Sequence, residues 1–569
     1  MLPRVARLWH TLRYLKVSQI GFYALRRFLP PRQVDFEGDI CVRPGFRLQS
    51  AIESDTRFDD PCQLTWLSKS RSYSDAEVDW FASGMPRLWL YNLHYFDYLR
   101  DRQRPLALRR QFIASWLLAE QNNALPALEP FPLSLRIVNW LFFLVADSDI
   151  EPGLRRQVEA SLFLQLLWLE RNDERHILAN HYFENLKALL FGAVYFQGNE
   201  AERWKRRAEH ELVQQLEEQF LDDGGHYERS PQYHALMLEN LLDIANLVSS
   251  NPGCVSDRLA VRVQEKARLA LSWLQKVILP DGEIPLFNDS AFGIAPSEQQ
   301  LRDYACRVLG TSIPALPQPV TRPRCIRLAA SGLYGVGFQQ DMLLMDAGDI
   351  GPAYQPGHTH CDLLSYELVL GGQRVVVDTG VYGYQASERR AECRSTTAHN
   401  TIVVDGCEQS EIWGEFRVAR RARKLSGSAE VGPETCEISG AYSGFFSGSW
   451  SPRPLFVHRR QISVKLSKDA FSAIHIADKI EGTGHHQVEN LVHFHPAIKA
   501  SLDGEQSVML LKQDVPVARL DVDPGWALTL KDSSYFPQFG VALDNQCLVI
   551  AQNARLPVES GYRITCLTA

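Results

Sequence analysis

The strongest constraint on the fold is a change in the spacing of apolar residues near residue 310. Between about residue 80 and about residue 310, apolar residues recur every three or four positions, as in RRQFIASWLLAEQNN and YHALMLENLLDIANLV. This spacing is typical of helices with a broad apolar face. A Pro-rich segment, GTSIPALPQPVTRPR (310–324), follows. Beyond it, short runs such as QRVVVDTG and QCLVIAQNA are separated by Gly, Asp and Asn, which is typical of antiparallel strands.

This change predicts a multidomain α + β chain in which a helical domain precedes an antiparallel β-sandwich. At 569 residues the chain is too long for one ordinary core. We predict a basic, irregular N-terminal segment (1–75), a domain of paired α/α helices (76–312) and a β-sandwich domain (325–569), with a linker at 310–324. The cleft between two such domains is a natural place to bind a polymer.

Charge and cysteine content narrow the class of function. The formal net charge of −7 argues against a general nucleic-acid binder, because such proteins carry a basic excess. The 11 cysteines are an odd number without CxxC pairs, which fits a reducing compartment or unpaired buried thiols better than a disulfide framework. The sequence contains no apolar run long enough to span a bilayer.

The first 32 residues are basic and amphipathic, and they lack the uninterrupted apolar core of a secretory signal. We therefore expect a cytoplasmic or periplasmic chain. Two interpretations of this segment stay open: it makes a peripheral contact with a membrane, or it is a basic helix packed on the rest of the fold. An oligomer is equally compatible with the sequence.

The segment NHYFEN (180–185) is the first of four candidate site segments. On a helix, His181, Glu184 and Asn185 share one face, next to an apolar stripe. That arrangement indicates a helix end that faces a cleft. The alternative is an ordinary helix N-terminus with Asn180 as its cap.

The second segment, DGGHYERSPQYH (223–234), combines a glycine turn with the start of a helix, where Pro231 suits the first turn. A tyrosine such as Tyr233 can exchange a proton if neighbouring cations lower its pKa from about 10. Arg229 or a histidine of this segment could have that effect.

The segments HTHCD (358–362) and RSTTAHNTIVVD (394–405) suggest a metal site. In an extended chain His358 and His360 point to the same side. Two such histidines are a typical start for a metal site that a distant Asp or His completes. Asp378 and His399 lie at predicted strand ends and are available. Cys361 is an alternative ligand, although it would point to the other side.

With these segments the chain resembles the heparinase II/III-like polysaccharide lyases. The resemblance is carried by several motifs in register: HTHCDLLSYELVLGGQRVVVDTGVYGY, RSTTAHNTIVVDG and EIWGEFRVARRA. It implies an incomplete α/α toroid followed by an antiparallel β-sandwich. It also implies an enzyme that cleaves uronic-acid-containing polysaccharides by β-elimination.

The resemblance implies roles for individual residues. Tyr233 and His358 match the catalytic tyrosine and histidine, and Asn180 or His181 matches the group that holds the substrate carboxylate. A structural metal, zinc with calcium as the alternative, would have the ligands His360, Asp378 and His399. The expected substrate contacts, in which arginines pair with uronate or sulfate, are Glu184, Asn185, Arg229, Arg394 and Arg417.

The chain also departs from the well-studied members, which carry a signal peptide. Its basic N-terminus is similar to that of relatives associated with bacterial exopolysaccharide or lipopolysaccharide assembly. A uronic-acid-bearing surface glycan of a bacterium is therefore expected as the substrate in preference to heparin. Two other functions stay open: a non-catalytic glycan-binding or assembly protein, and a glycoside hydrolase with Glu228 and Asp289 as its paired carboxylates.

Overall fold

The computed structural model describes residues 2–29, 31–32, 34–53, 60–73, 78–120, 127–314, 320–445 and 455–567. Helices dominate this part of the chain up to Leu309, and strands dominate it from Val320 onward. The prediction of a helical region followed by a β-rich domain of antiparallel sheets is therefore confirmed. The change falls inside the predicted linker, of which residues 315–319 lie outside the described residues.

Several helices between Pro130 and Val277 are joined by short connections, and such neighbours in sequence pack side by side. In the described residues the α-helices are α1 (Leu2–Leu12), α2 (Val17–Phe28), α3 (Arg87–Tyr95), α4 (Leu106–Glu120), α5 (Pro130–Ala146), α6 (Pro152–Asn172), α7 (Ala179–Tyr195), α8 (Asn199–Gln219), α9 (Pro231–Ser250), α10 (Asp257–Val277), α11 (Glu298–Leu309) and, within the β domain, α12 (Glu388–Arg394). The pairs α7 with α8 and α9 with α10 bury apolar faces such as those of Phe183 and Leu212 in one core. None of the helices in the described ranges combines the length and the apolar content needed to cross a bilayer.

Three antiparallel sheets form the β domain. The strands of the described residues are β1 (Cys41–Val42), β2 (Gln63–Trp66), β3 (Lys69–Ser72), β4 (Phe196–Gln197), β5 (Val320–Leu328), β6 (Leu333–Gln339), β7 (Asp341–Asp346), β8 (Tyr366–Leu370), β9 (Gln373–Val376), β10 (Ile402–Val404), β11 (Ile412–Trp413), β12 (Arg417–Val418), β13 (Arg423–Val431), β14 (Thr435–Gly444), β15 (Phe456–Leu466), β16 (Phe471–Glu481), β17 (His485–His493), β18 (Lys499–Leu502), β19 (Ser507–Lys512), β20 (Val515–Val522), β21 (Ala527–Tyr535), β22 (Leu543–Arg555) and β23 (Val558–Cys566). The sheets have five, eight and four strands, in the orders β5-β6-β7-β8-β9, β13-β14-β15-β16-β23-β20-β19-β18 and β10-β17-β22-β21. Short two-stranded pairs are β1 with β4, β2 with β3, and β11 with β12.

Strand β7 belongs to two apolar cores at once. Met342 and Leu344 pack in the core of the helical domain, whereas Leu343 and Met345 pack in the core between the sheets of the β domain. Successive side chains of a strand point to opposite faces, so the five-stranded sheet forms a layer between the helices and the rest of the sandwich. This layer places the loops at the ends of β7 and β8 next to the helical domain.

The turn at 223–225 also joins the two domains. The Asp223 carboxylate accepts hydrogen bonds from the backbone N–H and the hydroxyl of Ser331, each at 2.7 Å, in the turn between β5 and β6. Arg229 donates to the carbonyl of Ala330 at 2.9 Å and to that of Ser331. Two charged side chains of the segment leading into α9 thus bind the same turn of the β domain.

The close packing of Gly224 predicts that a larger residue there is destabilising. Gly224 has φ +93°, and a Cβ would lie 2.3 Å from the carbonyl oxygen of Leu269 in α10. We expect Gly224→Ala to lower the free energy of unfolding by about 1–3 kcal/mol more than Gly253→Ala, because overpacking adds to the strain of a positive φ. Gly253 is a matched control, with φ +76° and no atom within 4 Å of its added Cβ. Thermal unfolding followed by circular dichroism compares the two variants, and equal shifts would contradict the packing argument.

Candidate active site

The two residues predicted to be catalytic come from different domains and are in contact. Ser230 caps α9, with its hydroxyl accepting the Tyr233 N–H at 3.2 Å, so Tyr233 lies in the first turn of that helix. His358 lies in the loop between β7 and β8. The two rings stack with centroids 3.8 Å apart and planes inclined by 29°. No domain closure is needed to bring them together.

A buried carboxylate, Asp289, fixes the orientation of His358. It accepts hydrogen bonds from His358 Nδ1 at 2.9 Å, from His360 Nε2 at 2.8 Å, and from both terminal nitrogens of Arg390, with Nη2 at 2.9 Å. Burial alone would raise the pKa of Asp289, but Arg390 and the two histidines hold it well below its usual range. Since an ionised carboxylate only accepts, His358 donates through Nδ1, and in the neutral form of the ring Nε2 is then the acceptor.

Nε2 of His358 lies near a second carboxyl group. Glu228 Oε2 is 3.9 Å from it, and Glu228 Oε1 accepts the backbone N–H of Asn180 at 3.4 Å. Burial raises the pKa of Glu228. Its Oε2 has no hydrogen-bond partner among the described residues. Glu228 therefore connects the beginning of α7 with the histidine.

The expectation that neighbouring cations lower the pKa of Tyr233 is wrong. Burial raises the pKa of Tyr233 well above its usual value, and Tyr384, Asp289 and Glu228 act in the same direction. Arg229 does not counteract them, because its guanidinium is bound to backbone carbonyls of the β5–β6 turn. Tyr233 therefore keeps its hydroxyl proton at neutral pH, as a proton donor requires.

Beside this pair lies a cavity of about 730 Å³. Its described wall includes Asn180, Glu184, Tyr233 and Tyr384. It also carries further aromatic rings, on which sugar rings can stack. These are Trp66, Tyr95, Phe131, Phe292 and Phe539.

The cations of the described cavity wall are each paired with a carboxylate. The pairs are Arg100 with Glu239 at 2.8 Å, Arg104 with Asp101 at 3.5 Å, and Lys187 with Glu184 at 3.0 Å. Arg100 and Lys187 also lie 3.6 Å and 3.5 Å from Asp243. Each cation of the described wall therefore has a carboxylate partner, and the wall carries further carboxylates, Asp97 and Glu283.

Asn180 lies in the first turn of α7, after two strained residues. Leu178 and Ala179 have φ of +65° and +54°, which is unfavourable for residues other than glycine and is frequent at functional sites. The Asn180 amide lines the cavity and has no hydrogen-bond partner among the described residues. It can therefore donate to a bound ligand.

His181 is the second candidate at this helix start. Its Nδ1 lies 3.2 Å from Glu174 Oε1, and its ring packs on Phe131 with centroids 4.4 Å apart. Burial works to lower the pKa of His181, but Glu174 outweighs that effect and raises it. A cationic His181 would suit a carboxylate, but of the two residues Asn180 is the one that lines the cavity.

Four of the five predicted substrate contacts do not belong to the cavity wall. Asn185 is fully buried, and its amide bonds to the Glu174 N–H at 2.9 Å and to Ser134. Arg394 is also fully buried and donates to backbone carbonyls, as Arg229 does. Arg417 is exposed and lies over the Trp413 ring. These positions do not fit the expected contacts with substrate, whereas Glu184 does line the cavity.

Two residues of the site were not predicted in the roles that their contacts indicate. Asp289 was weighed only as a hydrolase carboxylate, and Tyr384 was not singled out. The Tyr384 ring lines the cavity, has its centroid 5.9 Å from that of His358, and lies 5.1 Å from the Arg390 guanidinium. The two tyrosines of VYGY, which follows shortly after Asp378, are the sequence feature from which Tyr384 could have been predicted.

A candidate metal centre lies behind His358. Ligand atoms of Asp362, Asp378 and His399, all buried, lie within 4.8 Å of one another. His399 Nε2 and His360 Nδ1 are buried without a hydrogen-bond partner among the described residues, and their rings are 5.4 Å apart. Unsatisfied ring nitrogens beside clustered carboxylates fit a bound cation. The structure thus brings Asp362 together with two of the predicted ligands, Asp378 and His399, whereas the third, His360, lies next to this group.

The Asp289 network predicts a large effect for Asp289→Asn. The neutral amide would leave the buried Arg390 without its counter-charge, so we expect the free energy of unfolding to fall by about 3–5 kcal/mol. Asp405→Asn is the matched control, because Asp405 pairs with His486 near the surface at 2.7 Å and such pairs contribute about 1 kcal/mol or less. Chemical denaturation of both variants measures the difference. A loss below about 1 kcal/mol for Asp289→Asn would show that the network does not hold the site.

Comparisons with known proteins agree with the two-part fold. A family model described as Heparinase II/III N-terminus matches residues 157–306, and one described as Heparinase II/III-like, C-terminal matches residues 321–561. A curated relative, the heparin-sulfate lyase of Pedobacter heparinus, is 24% identical over an alignment of 343 residues that covers 56% of this chain and 48% of that protein. The chain thus matches about half the length of that relative.

Solved structures show the same fold at low sequence identity. The crystal structure of heparinase III aligns with a TM-score of 0.64 and 16% identity, covering 87% of this chain and 80% of that chain. The heparan sulfate lyase HepC from Pedobacter heparinus aligns with a TM-score of 0.58 and 16% identity, covering 87% and 79%. With family models matched on both sides of the domain boundary and this fold in common, the chain belongs to the heparinase II/III-like family.

Proposed function

We propose that the chain is a polysaccharide lyase that cleaves a uronic-acid-containing glycan by β-elimination. The observation that carries this proposal is the contact between Tyr233 and His358 beside a cavity whose wall includes Asn180. A proton acceptor, a proton donor and an amide donor lie together there, and elimination from a uronate needs these three groups. The names of the relatives, heparin-sulfate lyase and heparinase III, support the same chemistry.

In the proposed reaction His358 is the base and Tyr233 is the acid. His358 Nε2 takes the proton from C5 of the uronate, since Nδ1 is bound to Asp289. The C5–H electron pair forms the C4=C5 double bond, the C4–O bond breaks, and the Tyr233 hydroxyl protonates the leaving oxygen. The raised pKa of Tyr233 supports this assignment. The imidazolium proton then returns to the Tyr233 phenolate, whose ring stacks on it.

Asn180 and His181 would bind the uronate carboxylate. Negative charge spreads into that carboxylate as the C5 proton leaves, so hydrogen bonds to it strengthen in the transition state. The Asn180 amide has no competing partner among the described residues, and Glu174 favours the cationic form of His181. Both residues lie in the first turn of α7, where the helix dipole favours an anion.

We propose that the substrate is a bacterial exopolysaccharide or lipopolysaccharide-type glycan without dense sulfation. The cations of the described cavity wall are paired with carboxylates. Arg229 and Arg394 are bound to backbone carbonyls. Sulfate groups of a polymer such as heparin would have to compete for these cations and would face the carboxylates. A glycan whose main charges are its uronates suits this wall better.

We also propose a structural zinc ion at Asp362, Asp378 and His399, with His360 next to it. Imidazole ligands favour zinc over calcium, which prefers oxygen ligands alone. When bound, the ion would offset the buried carboxylates and brace the loop that carries His358, without acting at the reacting carbon. His360 bonds through Nε2 to Asp289, and Asp289 bonds to His358. An ion that restrained His360 would therefore also restrain the proposed base, His358.

The two other functions find less support. A hydrolase would need an accessible carboxylate, but Asp289 is fully buried and both of its oxygens accept hydrogen bonds. A protein that only binds glycans has no need for the Asp289–His358 bond that leaves Nε2 as an acceptor. Incubation in ¹⁸O-labelled water separates hydrolysis from elimination, because only hydrolysis adds a water oxygen to the products.

The proposed roles predict the effects of two substitutions. Tyr233→Phe and His358→Ala should each lower kcat by about 10²–10⁴-fold, the usual contribution of an acid or a base. Tyr195→Phe is the control: it removes a hydroxyl that bonds to Glu159 in another part of the helical domain and should leave activity unchanged. Near-ultraviolet absorbance of unsaturated ends reports cleavage across a panel of uronate polysaccharides. Full activity of both variants would refute the roles, and thermal unfolding checks that each is folded.

The proposed metal site predicts about one zinc ion per chain. Elemental analysis of protein purified without chelators should detect it, and His399→Ala should lose it, because that change removes a ligand at the centre of the group. His475→Ala is the control, since its ring lies in β16 on the far sheet. A wild-type metal content far below one per chain would reject the site.

A further inference from the structure

Helix α1 contacts the rest of the protein through polar side chains. Arg7 pairs with Glu411 at 2.9 Å, and the Thr11 hydroxyl accepts the indole N–H of Trp413 at 3.1 Å. Both partners lie in or next to the hairpin of β11 and β12, so α1 is attached to the β domain.

Helix α2 is attached in the same way, but to the helical domain. Gln19 donates to the carbonyl of Ile177 at 3.3 Å, and Arg26 donates to the carbonyl of Asn172 at 2.9 Å. The buried residue of α2 is Gln19, a polar side chain. The two helices together therefore bridge both domains through polar contacts.

Most of the described apolar side chains of these helices are exposed. Trp9 is 65% exposed, Val17 87% and Phe28 82%. A surface helix of a globular protein buries its apolar face and exposes its polar face, whereas α1 and α2 leave most of their described apolar side chains exposed. The further exposed apolar residues of this segment are Val5, Leu8, Leu12, Ile20, Tyr23, Leu25 and Leu29.

Charge is concentrated on the same segment. Residues 1–34 contain seven Arg or Lys and no Asp or Glu. Since the formal net charge of the whole chain is −7, residues 35–569 carry −14. A basic segment with exposed Trp, Tyr and Phe complements an anionic lipid surface, because these rings prefer the membrane–water boundary and the cations pair with headgroups.

We propose that α1 and α2 form a docking surface for an anionic lipid bilayer. The apolar side chains would enter the boundary between headgroups and acyl chains, and the surrounding Arg and Lys would bind anionic headgroups. This interaction is separate from the proposed lyase activity and does not depend on it.

The docking surface lies close to the candidate active site. The β11–β12 hairpin that holds α1 also carries Phe416, whose ring centroid is 6.2 Å from that of His358. Ile177, which binds α2, is three residues before Asn180. Docking would therefore hold both domains, with the cavity between them, against a membrane.

A second copy of the chain is a less suitable occupant of this surface. A symmetric dimer through α1 and α2 would bring two segments with seven positive charges each against one another, and like charges across an interface disfavour association. Anionic lipid supplies the opposite charge.

Vesicle flotation tests the proposal with the full chain. We expect binding to vesicles of phosphatidylcholine with phosphatidylglycerol, and little binding to phosphatidylcholine alone or to the mixed vesicles at high salt. The double substitution Trp9→Ser with Phe28→Ser should weaken binding on the order of tenfold or more, because it removes two of the largest exposed apolar side chains.

The matched control is Leu502→Ser with Val515→Ser, which removes two apolar side chains of the β domain that are 52% and 60% exposed. It should bind like the wild type. The proposal is overturned if the wild type does not float with anionic vesicles, or if both double variants lose binding equally. A third outcome also overturns it: light scattering shows that the wild type is a dimer and the Trp9/Phe28 variant is a monomer, while neither binds vesicles. Lyase assays in free solution should be unchanged in the Trp9/Phe28 variant.

Discussion

One buried carboxylate, Asp289, organises the site. It lies on the segment between α10 and α11, in the helical half of the chain, yet its partners are three side chains of the β domain. A fully buried charge is stable only when it is paired and hydrogen-bonded. The Arg390 guanidinium and the two histidine N–H groups meet that requirement, and in doing so they fix the ring of His358. The position of the His358 ring relative to Tyr233 is thus a consequence of how the Asp289 carboxylate is paired and hydrogen-bonded.

The order of the domains could be predicted from the sequence because the period of apolar residues is a local property. The spacing of His358 and His360 also predicted that the two side chains lie on one side, although they lie in a loop and not in a strand, where the Asp289 carboxylate joins them. Tyr233 was found mainly through the family resemblance. Its contact with His358 depends on the packing of α9 against a loop more than 100 residues away, which local spacing does not encode.

The errors have a common physical origin. Arg229 and Arg394 were expected to pair with uronate or sulfate groups of the substrate, but backbone carbonyls of the protein accept their N–H groups. The expectation of a lowered pKa at Tyr233 has the same origin, because it assumed that the Arg229 guanidinium lies close to the Tyr233 hydroxyl. Glu184 and Asn185 were placed on one polar face, yet only Glu184 lines the cavity, because neighbouring positions on a helix differ by about 100° in direction. Which sector of α7 borders the cavity depends on the packing of the whole domain.

The two cores that meet at β7 have a consequence for the modularity of the fold. The helical part buries Met342 and Leu344, which the sheet supplies, while Leu343 and Met345 stabilise the sandwich from the same strand. Neither part can be removed without exposing apolar surface of the other. The boundary near residue 310 therefore separates two patterns of apolar spacing in the sequence. It does not separate two units that fold independently, because the cooperative unit of folding extends across it. A chimaera that joins this helical part to the β domain of a relative would keep its function only if the relative's strand at the position of β7 presented apolar side chains that fit the helical core.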